Sequence, residues 1–232
     1  MNILTLLIFT PILFALMIWA MPSAWRGSFK YLTLAATLVQ LGIGVWIYLH
    51  FKTGAGFAGI NQEGQYQFVQ KLPWINLNLG GISRMQIDYF VGIDGISIAM
   101  IVMTSLVMVI AALSAWEIKS NLKGFFILFL ILDMAVIGVF CALDFFLFYL
   151  FYELMLLPLY FLIGMWGGVR REYAAIKFFL YTLFGSVFML LVMIGLYLSV
   201  KDPVTGNHTF NMVYMMNPAN YIPGSVFAAI SH

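Results

Sequence analysis

The chain has 232 residues, of which 63% are hydrophobic and 9% charged, and its mean hydropathy is +1.00. Soluble domains carry charged residues at about 25%, so this composition excludes an ordinary soluble domain and indicates an integral membrane protein. The net charge of +2 is too small to predict nucleic-acid binding. The single cysteine, Cys141, excludes an internal disulfide and is expected to be a packing residue.

Six apolar runs are long enough to cross a bilayer as helices. They cover residues 2–21, 31–51, 95–115, 123–142, 146–167 and 173–200. The first run precedes a sequence resembling a signal-peptide cleavage site, but it lacks a basic leading segment, so we read it as an uncleaved span. The prediction is one membrane domain, all-α and polytopic, with an outer loop at 52–94 and an outer tail at 201–232.

Basic residues are distributed unevenly between the connecting segments. Six follow the first, third and fifth helices: Arg26, Lys30, Lys119, Lys123, Arg170 and Arg171. The opposite side has only Lys52, Lys71, Arg84 and Lys201, spread through longer segments. Because cytoplasmic loops are enriched in Lys and Arg, both the N-terminus and the C-terminal tail are predicted to lie outside.

The outer loop contains the signals of a short β-hairpin. Residues 75–79 alternate apolar and polar side chains, and a second strand-like run ends at Phe90. Gly80-Gly81 between them suits a tight turn, because glycine adopts positive φ angles. Asp94 comes directly before the third helix, where we expect an N-cap and not an ion ligand.

One acidic residue, Glu153, lies inside the fifth apolar run. At about 1.5 Å per residue, its carboxylate is about 10 Å from one end of the helix and about 21 Å from the other. A charge there costs on the order of 2.5 to 3.5 kcal/mol by insertion scales. Proton or ion handling is therefore the leading hypothesis, and the alternative is a neutral or paired glutamate that only bridges helices.

Three residues on the same helix are expected to support Glu153. Tyr149 and Tyr160 fall on its face, at positions i−4 and i+7, and offer hydroxyl groups. Pro158 removes the backbone donor that would pair with the carbonyl of Leu154, so a bend is expected there. This arrangement predicts a polar site around the carboxyl group.

Two further ionisable residues lie in other spans. Asp133 is at a similar depth in the fourth helix, where it would either relay a proton with Glu153 or form an interhelical hydrogen bond, worth about 0.6 kcal/mol. Lys177 lies about one turn inside the sixth helix, on a face that continues through Tyr181. It is a proton-path candidate, and the alternative is a lysine that only snorkels to the interface. Asp144, between the fourth and fifth helices, is expected to be solvated at the interface.

Three segments resemble a known family. They are FYELMLLPLYFLIGMWGG at 151–168, YAAIKFFLYTLFGS at 173–186 and VGIDGIS at 91–97. These resemble the antiporter-like subunits of respiratory complex I. Their sequence is most similar to the bacterial M-subunit branch, the counterpart of mitochondrial subunit 4. The resemblance covers the N-terminal portion of a fold of roughly fourteen helices, built as two inverted repeats of five.

The resemblance implies roles for two residues. Glu153 matches the family's helix-5 glutamate, which belongs to a proton channel and works with a lysine on a broken seventh helix. Lys177 matches a helix-6 lysine on the cytoplasmic side of the path. The seventh helix is not among these 232 residues, and the sequence from 206 onward resembles the outer loop leading to it. A truncated chain, a split gene product and an incomplete sequence all fit this span.

The implied function is a proton-translocating membrane-arm subunit of NADH–quinone oxidoreductase in the cell's inner (plasma) membrane. The sequence has no phosphate loop, cysteine cluster or paired histidines, so no cofactor or metal is expected in this chain. NADH, flavin, iron–sulfur clusters and quinone are expected in partner subunits, with neighbouring antiporter-like subunits, the lipid bilayer and protons as direct partners. The alternatives are a structural membrane module without transport, or the related subunit of a cation/proton antiporter or a membrane-bound hydrogenase.

Overall fold

A computed structural model of the chain describes residues 2–22, 25–52, 66–78, 84–203 and 205–228. Within them, six helices are long and apolar enough to cross a membrane. In chain order these are α1 (Ile3–Ala20), α2 (Arg26–His50), α3 (Gly95–Ser114), α4 (Leu122–Cys141), α5 (Phe145–Trp166) and α6 (Arg171–Ser199). The predicted all-α polytopic fold with six spans is confirmed.

The start of α2 differs from the prediction, which placed it at residue 31. The helix begins at Arg26 because the segment before the apolar run makes its own contacts. Phe29 is buried, and Lys30 Nζ donates a hydrogen bond to the carbonyl of Trp116. The prediction missed this first turn because hydropathy shows which part of a helix lies in the hydrocarbon. It does not show where the helix itself begins or ends.

The centre of the bundle is α4, which packs against α1 on one side and α5 on the other and also reaches α2 and α3. In α4, 56% of the most apolar stretch is buried. In α6, which packs chiefly on α5, the buried share of the same kind of stretch is 11%. The approach of α4 to α5 is close at Gly138, where a Cβ would lie 2.5 Å from the ring of Phe151. Small residues allow such close helix crossings in membranes.

A two-stranded antiparallel hairpin covers one end of the bundle, as predicted. Its strands are β1 (Gln67–Asn78) and β2 (Arg84–Ile93), and β1 begins eight residues before the predicted strand. The predicted Gly80-Gly81 turn lies outside the described residues. The extra length of β1 is anchored on α1, because Asn2 Nδ2 donates to the Phe68 carbonyl (2.5 Å) and Thr5 Oγ1 donates to Gln70 Oε1 (2.5 Å). Sequence alternation could not reveal these contacts.

The segment after α6 folds over the same end of the bundle and includes one short helix, α7 (Met212–Met215). The Phe145 amide donates to the Phe210 carbonyl (2.8 Å), and the Met212 amide donates to the Leu143 carbonyl (3.0 Å). These bonds close the segment over the start of α5. The hairpin and the tail therefore form one layer at this end.

At the opposite end, side chains join helix termini that are distant in sequence. Lys123 Nζ, in the first turn of α4, donates to the carbonyl of Met21, the residue that ends α1 (2.9 Å). Trp166 Nε1, at the end of α5, donates to the carbonyl of Ser120 (2.9 Å). The Met21 carbonyl follows the last turn of α1, where carbonyls lack partners within the helix, so Lys123 satisfies a group that is otherwise unpaired.

Candidate functional site

The helix that carries the interior glutamate begins at Asp144. Its Oδ1 accepts from the amides of Phe146 (3.0 Å) and Leu147 (3.1 Å), which is the geometry of an N-cap. The expectation that Asp144 is solvated was wrong: it is 3% exposed, because the segment around Phe210 folds over it. Burial raises the pKa of Asp144 to about 6, while the backbone hydrogen bonds oppose this rise.

Glu153 lies near the middle of α5 and is half-buried. Its Oε1 atom is buried and has no hydrogen-bond partner among the described residues. A buried polar atom without a partner costs on the order of 1 to 3 kcal/mol, and more when charged. Such an atom is uncommon in folded proteins and marks a place where a proton, a water molecule or another group completes the site.

The side of α5 that carries Glu153 faces α6. The Tyr149 hydroxyl is close enough to interact electrostatically with both Glu153 and Ser186 of α6. About two turns beyond the glutamate, the Tyr160 ring packs against Phe179 of α6 with centroids 5.4 Å apart. The two predicted tyrosines therefore lie along the α5–α6 contact together with Glu153. Ser186 is fully buried at this contact.

Pro158 is buried within α5, and the helix continues through it to Trp166. Proline has no backbone N–H, so the carbonyl of Leu154 loses its usual intrahelical donor. This carbonyl belongs to the residue next to Glu153 and is available to a water molecule or a partner. The site thus combines a carboxyl group and a hydroxyl group with a carbonyl that has lost its usual helical donor.

Asp133 faces α2 and not the Glu153 site. With the amide nitrogen of Gln40 placed towards it, that nitrogen donates to Asp133 Oδ2 (2.7 Å) and Oδ1 (3.0 Å), and both residues are 0% exposed. At about 100° per residue, Asp133 is about 140° around α4 from Gly138, the residue that meets α5. The partner that sequence reasoning missed is Gln40 of α2. The available signal was a polar stripe in an apolar helix, formed by Thr33, Thr37 and Gln40.

Lys177 is exposed on α6, with its Nζ 5.7 Å from the ring centre of Tyr173 and 5.8 Å from that of Tyr181. Ala175 is buried at the contact with Gly164 of α5. Two residues further along, Lys177 is about 200° around the helix and points away from α5. The structure therefore places Lys177 with Tyr181, as the spacing predicted, and does not bring it to Glu153.

No group of three or more His, Cys, Asp or Glu residues with metal-binding spacing occurs in the described part of the chain. The functional groups identified above are protonatable or hydrogen-bonding side chains. What this arrangement can do chemically is bind, orient and release protons.

Chains with this fold occur in two solved respiratory assemblies. One is respiratory complex I from Thermus thermophilus with bound NADH, with a TM-score of 0.70, 22% identity and coverage of 94% of this chain and 39% of that chain. The other is the membrane-bound sulfane sulfur reductase, an archaeal respiratory membrane complex, with a TM-score of 0.67, 21% identity and coverage of 94% and 42%. The fold and the interior acid define the class: a multi-pass membrane protein with the fold of respiratory membrane subunits.

The sequence comparisons identify the family. Residues 142–227 match the family described as NADH:quinone oxidoreductase/Mrp antiporter, transmembrane. NADH-quinone oxidoreductase subunit M of Rhodobacter capsulatus is 38% identical over 202 residues, covering 85% of this chain and 36% of that protein. The same subunit of Rickettsia typhi is 40% identical over 159 residues, covering 68% and 29%. The chain is similar to the antiporter-like membrane subunits of this family and spans about a third of the length of these relatives.

Proposed function

We propose that this chain is part of a proton-translocating membrane-arm subunit of NADH–quinone oxidoreductase. The observation that carries the proposal is the buried, unpartnered Oε1 of Glu153 near the middle of a membrane-spanning helix. The relatives named as subunit M of NADH-quinone oxidoreductase support the choice of complex.

In this proposal Glu153 is the proton carrier. Its carboxyl group accepts a proton at the unpartnered oxygen and releases it when a cation or a hydrogen-bond donor approaches. The Tyr149 hydroxyl and Ser186 form a polar path along the α5–α6 contact, and the carbonyl of Leu154 holds water beside the carboxyl group. Lys177 serves the proton path from its cytoplasmic side, on the face of α6 that lies away from α5.

We also propose where the chemistry around this chain takes place. Electron transfer from NADH through flavin and iron–sulfur clusters to quinone occurs in partner subunits, and the chain itself contributes translocation. Its direct partners are other membrane-arm subunits, especially the neighbouring antiporter-like ones. The protein lies in the cell's inner (plasma) membrane, with the hairpin, the N-terminus and the tail on the outer side, in accord with the basic loops.

The experiment that tests the proposal replaces Glu153 by glutamine in the assembled complex. Glu153→Gln keeps the shape of the side chain and removes its protonation, so proton pumping should fall at least tenfold, or about 1.4 kcal/mol or more in barrier terms. Glu117→Gln is the matched control, because Glu117 is exposed near the end of α3. Undiminished pumping with Glu153→Gln contradicts the proposal and favours a structural module that transports nothing.

A related complex is the second candidate, because the fold is shared with the sulfane sulfur reductase and the family description includes Mrp antiporters. In that case the same carboxyl group would serve proton movement in an antiporter or a hydrogenase-like complex. Affinity purification of the chain from its native membrane, followed by identification of the attached subunits, distinguishes the two. Flavin-containing NADH-oxidising subunits support the first assignment, and their replacement by antiporter or hydrogenase-type subunits supports the second.

A further inference from the structure

A second carboxyl group is enclosed in the bundle, away from the Glu153 site. Asp133 and Gln40 are 0% exposed and meet between α4 and α2. Thr33 and Thr37 of α2 donate their hydroxyl protons to carbonyls of α2 itself, those of Phe29 (2.9 Å) and Leu34 (3.0 Å). The group that α2 offers to Asp133 is therefore the amide of Gln40.

The described residues supply no cation to Asp133. Neither α1 nor α3 contains a titratable side chain, and Lys71 is paired with Asp88 in the hairpin. The other described titratable side chains on elements packed against α4 are Lys30, Tyr31, Tyr48 and His50 on α2, Tyr149, Tyr152, Glu153 and Tyr160 on α5, and Tyr89 on β2. Lys30 and His50 are each about 15 Å along α2 from Gln40. On α4 itself, Lys123 and Cys141 are at its two ends.

A glutamine amide can serve both charge states of a carboxyl group. Its nitrogen donates to a carboxylate, and its oxygen accepts from a protonated acid. The two orientations have nearly the same shape, so the short contacts of 2.7 Å and 3.0 Å suit either state without repacking the core. A leucine at this position would serve neither state.

We infer that Asp133 and Gln40 form a second proton-binding site, in which the Gln40 amide turns by half a rotation as Asp133 gains or loses its proton. On uptake, a hydronium ion transfers its proton to an Asp133 carboxylate oxygen and leaves as water, and the new O–H donates to the amide oxygen of Gln40. On release the proton returns to water, and the amide nitrogen again faces the carboxylate. The site does not depend on Glu153, since the two acids face different helices.

Infrared difference spectroscopy across a pH titration tests this inference on the full chain in lipid nanodiscs. The wild-type chain should show the C=O stretching band of a protonated carboxyl group from Asp133. Asp133→Asn should remove this band, while Glu153→Gln should leave it in place, which separates the inference from the proposed role of Glu153. An unchanged pH-dependent spectrum with Asp133→Asn overturns the proton-binding site.

The role of Gln40 has its own readout. Gln40→Met has a similar shape but no amide, so the Asp133 band should move to higher frequency because the acid loses its hydrogen-bond acceptor. A band that stays at the wild-type position overturns the amide turn.

Isotope-labelled aspartate in an Asp144→Asn background tests the assignment of the C=O band to Asp133 without replacing Asp133. The band should move with the label, because Asp133 is then the remaining buried aspartate among the described residues. A band that ignores the label overturns the assignment to Asp133. Asp133→Asn is expected to fold, since asparagine and glutamine amides can pair, and its melting temperature checks this.

Discussion

The ring of Phe151 on α5 lies over Gly138 of α4, so closely that a Cβ at 138 would lie 2.5 Å from the ring. Because Phe151 faces α4, Glu153, two residues on, is turned about 200° away from α4. This contact explains why Glu153 meets α6 and Asp133 meets α2. The two acids share a depth in the membrane but not a face.

Gly138→Ala should therefore destabilise the bundle and disturb the Glu153 site. The added methyl group has to displace the Phe151 ring, which costs about 1 to 3 kcal/mol in a packed interior. Thermal unfolding in detergent measures the loss. The control is Gly42→Ala on α2, where a Cβ meets nothing within 4 Å, and equal melting temperatures for the two variants would contradict the explanation.

Tyr149→Phe should reduce proton pumping without impairing assembly. The variant keeps the ring but removes the hydroxyl that interacts with Glu153 and Ser186, a loss of about 0.5 to 1.5 kcal/mol, or roughly two- to tenfold in rate. Tyr152→Phe is the matched control, because the Tyr152 ring stacks on Phe148 elsewhere on the same helix. If both variants pump equally well, the Tyr149 hydroxyl has no part in the path.

Stability should depend on pH through Asp144. Its folded-state pKa of about 6 is raised from the usual 3.8 by burial, so the folded state binds a proton more readily than the unfolded chain. The contribution to stability is present in full below about pH 3.8 and is lost as the pH rises through about 6, with an upper limit of about 3 kcal/mol. Asp144→Asn keeps the N-cap and removes the titration, so its unfolding should lose this dependence between pH 4 and 6. A slope equal to that of the wild type would exclude Asp144 as the cause.

Asp94→Ala should weaken the start of α3. Asp94 Oδ1 accepts from the amides of Ile96 (3.0 Å) and Ser97 (2.7 Å), so both donors lose their partner. The cost expected for an N-cap is about 0.5 to 2 kcal/mol. Hydrogen exchange of the first turn of α3 measures it locally. Asp94→Asn should behave like the wild type, and protection that survives in the alanine variant would contradict the capping role.

The parts of this structure that the sequence predicted are those set by local chemistry. The length of an apolar run determines whether a helix can cross the membrane, and a carboxylate just before a helix caps it, as Asp94 does. The position of Glu153 inside one run was also visible directly. In each case the relevant residues are neighbours along the chain.

The parts that could not be predicted depend on contacts between distant segments. Gln40 and Asp133 are 93 residues apart, and nothing local indicates that their helices meet on those faces. The burial of Asp144 depends on the segment around Phe210, which follows it by more than 60 residues. The direction of Lys177 is fixed by Ala175, which lies at the contact with α5.

The hydrogen bond from Lys123 to the Met21 carbonyl joins residues 102 positions apart, and α1 packs more on α4 than on α2. Chains are synthesised from the N-terminus, so α1 reaches the membrane well before its main partner exists. The first helix can therefore pack on α2 first, and its larger contact with α4 forms only after the fourth helix is inserted. A ribosome paused before Lys123 should therefore leave the Met21 carbonyl without this donor.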